Sequence, residues 1–118
     1  MEKTRFSYII IGGFLGSALR ELIFQYFQGV GGTLIVNVLG SFILGYLMYG
    51  TELGFFSERE RYLAGIGFCG GLTTFSTFML QTLQYSAAPA AWNISANIIA
   101  CLFAVFAGRA MAMKGLGT

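Results

Sequence analysis

Histidine is absent from the 118 residues, which removes a Ser–His or Cys–His catalytic pair, an imidazole proton shuttle and any His-ligated metal. Charge is scarce as well. Asp, Glu, Lys and Arg make up 10% of the chain, against about a quarter of an ordinary soluble domain. The net charge of +2 is too small and too scattered for binding nucleic acid. Proline occurs once, and the two cysteines, Cys69 and Cys101, lie in apolar surroundings, where they read as small packing residues rather than a disulfide or metal site. What remains is apolar: 56% of residues are hydrophobic, and the mean hydropathy is +0.71. Such a chain cannot cover a water-facing surface, and its length allows one domain. The composition is that of a membrane protein, and nothing in it points to an enzyme.

The charge-free runs set the number of crossings. Tyr62 to Gly108 is 47 residues without a charge. As one helix it would reach roughly 70 Å, about twice the hydrocarbon core. It must therefore cross twice, and Pro89 marks the expected reversal. Leu22 to Thr51, another 30 uncharged residues, contains one crossing, opened by the turn-like Gly29-Val30-Gly31-Gly32. An earlier crossing begins near Phe6. The reading is a single all-α transmembrane domain over residues 1–118, with helices at about 6–27, 32–50, 62–84 and 90–112 and both termini on one side. A cleaved signal peptide is the lesser reading of the first helix, because its apolar run continues past the small-residue site Gly16-Ser17-Ala18.

Lys3, Arg5, Arg59, Arg61, Arg109 and Lys114 all fall on that shared side, with Arg20 alone opposite. By the positive-inside rule both termini are cytoplasmic. The expected location is the cell (plasma) membrane, crossed several times.

The third crossing contains its own weak point. Around Thr73 stand Gly70, Gly71 and Thr74, poor helix formers at the depth where an unpaired main-chain amide is most costly. A break there frees carbonyls and amides that can hold ions. Glycine alone equally fits close helix packing. The adjoining Thr73-Thr74-Phe75-Ser76-Thr77-Phe78, with four hydroxyls, shifts the reading to an ion or solute site.

Polar or small residues recur every four positions elsewhere: Gly12, Gly16 and Arg20; Asn37, Ser41 and Gly45; Asn93, Asn97 and Cys101. No acidic residue lies deep in any span, which disfavours proton coupling and acidic cation pores. Amide N–H, hydroxyl O–H and the ring edges of Phe75 and Phe78 are donors suited to a compact anion. A neutral solute or a purely structural role remains the alternative on chemistry alone.

Three stretches resemble the Fluc (CrcB) family of fluoride channels: Gly12-Gly13-Phe14-Leu15-Gly16-Ser17-Ala18-Leu19-Arg20, Gly32-Thr33-Leu34-Ile35-Val36-Asn37, and Gly67-Phe68-Cys69-Gly70-Gly71-Leu72-Thr73-Thr74-Phe75-Ser76-Thr77-Phe78. The resemblance implies a passive fluoride-selective channel that lets fluoride out of the cytoplasm and lowers its toxic level. It implies an antiparallel dimer with two pores and a structural Na⁺ at the dimer interface, held by the backbone carbonyls of Gly70 and Thr73. The fluoride path would be lined by Asn37, Phe75, Ser76, Thr77 and Phe78, with Asn97 as the helix-4 match. Gln81 and Cys101 depart from the family pattern, where an acid and a serine are usual, and bear on the outer lining.

The charge bias sits awkwardly with one sequence inserting both ways, so the partner in the dimer is either a second copy or an oppositely oriented paralogue. Two rivals complete the reading. A small multidrug cation/proton transporter would need Glu21, which adjoins Arg20, as its membrane carboxylate. A non-conducting membrane assembly protein would use the polar stripes only as helix glue.

Overall fold

The computed structural model describes residues 2–116 and is helical throughout, with four spans long and apolar enough to cross a membrane. The protein is therefore a multi-pass membrane protein. Helix α1 (Glu2–Tyr26) and helix α2 (Val30–Glu52) are joined at Gly29, whose φ of 76° lies in the left-handed region that glycine enters without strain. After a short connection, Ser57 starts the next rod. Its hydroxyl accepts from the Glu60 N–H, and the Glu60 carboxylate accepts from the Ser57 N–H at 2.8 Å, a reciprocal cap.

The third span, Glu58–Leu83, is a succession of pieces. Its first part, here α3, joins an α turn (Glu58–Glu60), a wide-turned π segment (Arg61–Cys69) and a final α turn (Gly70–Leu72). Thr73 then takes an extended ψ of 155°, and helical geometry resumes in α4 (Ser76–Leu83). The last helix, α5, runs from Ala87 to Leu116. Pro89 is its third residue, where the missing N–H is harmless because no helical acceptor precedes it. The reversal consequently falls at 84–86, before the proline rather than at it.

The helices pair in parallel, each with its next-but-one neighbour in the order of crossings. α1 lies along α3: a Cβ added at Gly12 would collide with the Leu63 carbonyl, one at Gly16 with the Phe68 carbonyl, and one at Gly71 with the Gly13 carbonyl. α2 lies along α5 in the same way, Gly45 against the Val105 carbonyl and Gly108 against the Phe42 carbonyl. Backbones this close gain dispersion contacts that larger side chains would prevent. The fully buried set is accordingly small in volume, led by Leu72, Val36 and Thr33. Large apolar residues point outward instead, Phe103 at 72% exposure and Trp92 at 78%, as lipid-facing residues should.

One end of the bundle gathers the cations. The Arg5 and Arg61 guanidinium groups lie 5.7 and 4.9 Å from the centre of the Tyr62 ring, and Arg109 lies 5.0 Å from that of Tyr49. Arg20, the one cation that the charge pattern sets apart from these, is only partly exposed. It reaches into the end of α3.

Gly16→Leu should therefore unseat α1 from α3, lowering stability by about 3 kcal/mol. Gly31→Ala has open space around its Cβ and should be neutral, or stabilising by up to about 1 kcal/mol. Thermal unfolding in detergent micelles compares the two; equal melting points would mean that α1 and α3 are not in backbone contact.

Candidate functional site

The interruption at Thr73–Phe75 removes helical partners from a set of main-chain groups, and the fold replaces most of them with side chains. The Thr74 N–H donates to Asn37 Oδ1 at 2.8 Å instead of back to the Gly70 carbonyl. Asn37 Nδ2 donates to the Thr74 carbonyl at 3.2 Å. One side-chain amide on α2 thus acts as a substitute peptide group, meeting both the donor and the acceptor of Thr74. The Gly71 carbonyl accepts from Arg20 Nη1 at 2.7 Å and, more loosely, from the Ser17 hydroxyl at 3.5 Å. The same guanidinium nitrogen lies 3.4 Å from the Thr73 carbonyl. A cation at the carbonyl end of a helix is also favoured by the helix dipole.

On the other side of the interruption the Thr74 hydroxyl accepts from the Thr77 N–H at 3.2 Å and lies 3.4 Å from the Ser76 hydroxyl. It serves as a cap for α4. The N–H groups at the start of α4 point out of the helix, where the dipole is positive.

A groove of about 600 Å³ opens beside these residues. Asn37, Gly70, Thr73, Phe75, Phe78 and Asn97 all line it, so six of the eight residues singled out in the sequence come together. Ser76 and Thr77 do not line it; they stand at the first turn of α4. Cys101 and Ser41 also face the groove and Gln81 does not; among the described residues no charged side chain does. Phe75 and Phe78 stack at 5.8 Å between ring centres with a 46° tilt. Phe78 is buried, whereas Phe75 is 72% exposed and projects from the subunit.

Asn37 continues a longer chain of amides. Its Nδ2 lies 3.5 Å from Asn97 Oδ1, and Asn97 Nδ2 donates to both the carbonyl and Oδ1 of Asn93 at 2.9 and 3.2 Å. Asn93 Nδ2 donates to the Thr82 hydroxyl at 2.9 Å, which itself donates to the Phe78 carbonyl at 2.8 Å. Asn97 and Thr82 are buried, so these bonds stabilise groups that are costly to leave unpaired in a bilayer.

Arg20, Ser17 and Thr82 are partners of the interrupted span that residue type alone does not reveal. The stripe ending at Arg20 was a signal for the first, since it ran on the same face as the glycines that dock α1. Thr82 gave none; a single threonine in an apolar run looks like any other.

A four-span membrane protein with an uncharged groove at an interrupted helix has the form of a channel or carrier. Residues 7–109 match the family described as CrcB-like protein, Camphor Resistance (CrcB), and the chain belongs to that family. Among similar proteins, the Fluoride-specific ion channel FluC 2 of Methanosarcina mazei is 47% identical, over 92% of this chain and 86% of its own length. The FluC 2 of Methanosarcina acetivorans is 48% identical over 85% of this chain and 80% of its own length. The Fluoride-specific ion channel FluC of Methanocaldococcus jannaschii is 40% identical over 87% and 90%.

Arg20→Met should lower stability by about 1.5–3 kcal/mol, the range for a charged hydrogen bond, and Arg20→Lys should recover part of it. Unfolding in detergent is the measurement. A fully stable Met variant would show that the Gly71 carbonyl does not need the guanidinium.

Proposed function

We propose that the protein is a passive, fluoride-selective channel that lets cytoplasmic fluoride out of the cell. The observation that carries this reading is the uncharged groove where the Asn37 amide and the Phe75 and Phe78 rings meet beside the interruption. Family membership and the names of the relatives agree with it. Amide N–H groups and aromatic ring edges attract a small anion without the strong hold of a fixed positive charge, so the ion can enter and also leave. The one nearby cation, Arg20, is turned to main-chain carbonyls and lies outside the groove lining. Among the described residues no carboxylate faces the groove to repel a halide or to couple it to protons.

In this reading the third crossing is broken near the membrane midplane, with Asn37, Phe75 and Phe78 along the fluoride path. Ser76 and Thr77 offer hydroxyls at the start of α4, and Asn97 lies further along. Two subunits pack antiparallel. The exposure of Phe75 and Gly70 in the single subunit supports a second chain covering that face. The partner is either a second copy or an oppositely oriented paralogue; the gathering of cations at one end of the bundle favours the paralogue.

The site also suits a sodium ion. The Gly70 carbonyl lacks its helical donor, the Thr73 carbonyl in extended backbone has only the loose 3.4 Å contact from Arg20, and neutral oxygens of this kind replace a hydration shell. Bound there, Na⁺ would supply a buried positive charge that offsets the cost of a nearby anion.

Fluoride efflux from liposomes bearing the purified chain, with chloride as the control, tests the function. Fluoride-specific efflux is expected, and none should survive Phe75→Ile, Phe78→Ile or Asn37→Asp although the protein still assembles. An inert wild-type chain, reconstituted with and without a paralogue, would overturn the reading. Labelling a C-terminal tag from each side of the membrane identifies the partner: one accessible side is expected, and equal labelling on both would remove the need for a paralogue.

A further inference from the structure

Thr82 and Asn93 stand outside the groove lining, yet they close a circuit of hydrogen bonds through it. The circuit leaves α4 at the Phe78 carbonyl and passes through Thr82, Asn93, Asn97 and Asn37 to Thr74. It returns to α4 where the Thr74 hydroxyl accepts from the Thr77 N–H.

The direction of the donors is not arbitrary. A threonine hydroxyl has one proton, and that of Thr82 goes to the Phe78 carbonyl at 2.8 Å. Toward Asn93 it can then only accept. Asn93 must therefore turn its NH₂ to Thr82, which leaves its Oδ1 to receive Asn97 Nδ2. Asn97, with its NH₂ held by Asn93, turns Oδ1 to Asn37. Asn37 accordingly presents NH₂ toward Asn97 and the Thr74 carbonyl, and Oδ1 toward the Thr74 N–H. An asparagine amide is nearly symmetric in shape, so shape alone would not prevent a flip. The hydroxyl of Thr82 breaks that symmetry at Asn93, the Asn93 carbonyl does so at Asn97 and the polar groups of Thr74 do so at Asn37, so the three amides agree in direction along the circuit.

The contacts also differ in strength. Asn37 to Asn97 is the longest at 3.5 Å, while Asn97 is held on α5 by two bonds of 2.9 and 3.2 Å. An anion entering the groove displaces the weakest acceptor most easily, and here that acceptor is Asn97 Oδ1. Asn37 N–H is then offered to the anion while Asn97 stays on its own helix.

We infer that Thr82 and Asn93 are positioning residues for anion passage, holding Asn97 so that its Oδ1 faces Asn37 and steadies the amide that Thr74 orients. This inference rests on the proposed channel function. Thr82→Val keeps the shape and removes the hydroxyl; Thr82→Ser restores the hydroxyl and serves as the rescue. Fluoride efflux from liposomes should fall at least tenfold in Thr82→Val and return to within about threefold of wild type in Thr82→Ser. A second readout needs no conduction: amide exchange by NMR in micelles, where the Thr74 N–H should lose protection in Thr82→Val and keep it in Thr82→Ser. Asn93→Leu, which breaks the same circuit from α5, should reproduce both effects if the valine variant fails to fold. An inert wild type would sink the channel reading and leave the Thr74 amide to decide the inference. Unchanged flux in Thr82→Val, a serine variant as poor as the valine, or an equally protected Thr74 amide would overturn it.

Discussion

A peptide group cannot be left unpaired in a hydrocarbon layer, and the third span of this protein interrupts its own helix. The rest of the architecture answers that constraint. α1 supplies Arg20 and Ser17 for the carbonyl end of α3, α2 supplies Asn37 for both polar groups of Thr74, and the Thr74 hydroxyl caps the start of α4. Gly70, Thr73, Thr74 and Phe75 border the groove, so the repair of the backbone and the making of a polar site are one arrangement. An interruption is tolerated in a membrane when its surroundings are protein or a polar cavity, and here they are both.

Close packing makes those repairs reachable. Arg20 meets the Gly71 carbonyl because Gly12 and Gly16 let α1 lie against α3 backbone to backbone. Gly45 and Gly108 bring α2 and α5 together in the same way, which is what allows Asn37 and Asn97 to approach across the groove. The small residues and the polar residues were visible as separate stripes in the sequence. Their physical relation is that the former set the distance at which the latter can bond.

Much of the fold was legible because charge cannot hide in a membrane. The uncharged stretch Tyr62–Gly108 is too long for one crossing and too apolar for a loop, so four spans followed from arithmetic. Helix ends were less legible. Pro89 looks like a breaker but sits in a first turn, and α5 continues past Arg109 to Leu116 because lysine and arginine are good helix formers once outside the hydrocarbon. Within the site, residue type exposed Asn37, Phe75, Phe78 and Asn97, but not which partner each would take. Arg20 shows why: a charged residue near the end of an apolar run looks like a surface marker, whereas carbonyls released by the interruption offer it a place inside. Nor does the chain reveal that Phe78 is buried and Phe75 exposed, since both belong to one hydroxyl-rich motif.

Because each helix pairs with its next-but-one neighbour, neither of the first two spans finds its packing surface when it first leaves the ribosome. α1 must reside in the bilayer with its glycine face toward lipid until some fifty further residues have been translated and α3 arrives. α2 waits still longer for α5. Early spans must therefore persist as solitary helices on hydropathy alone, α1 with Ser17 and Arg20 on the face that later turns inside the protein. Biogenesis thus asks α1 to cross the bilayer alone before the carbonyls that pair with those polar groups exist.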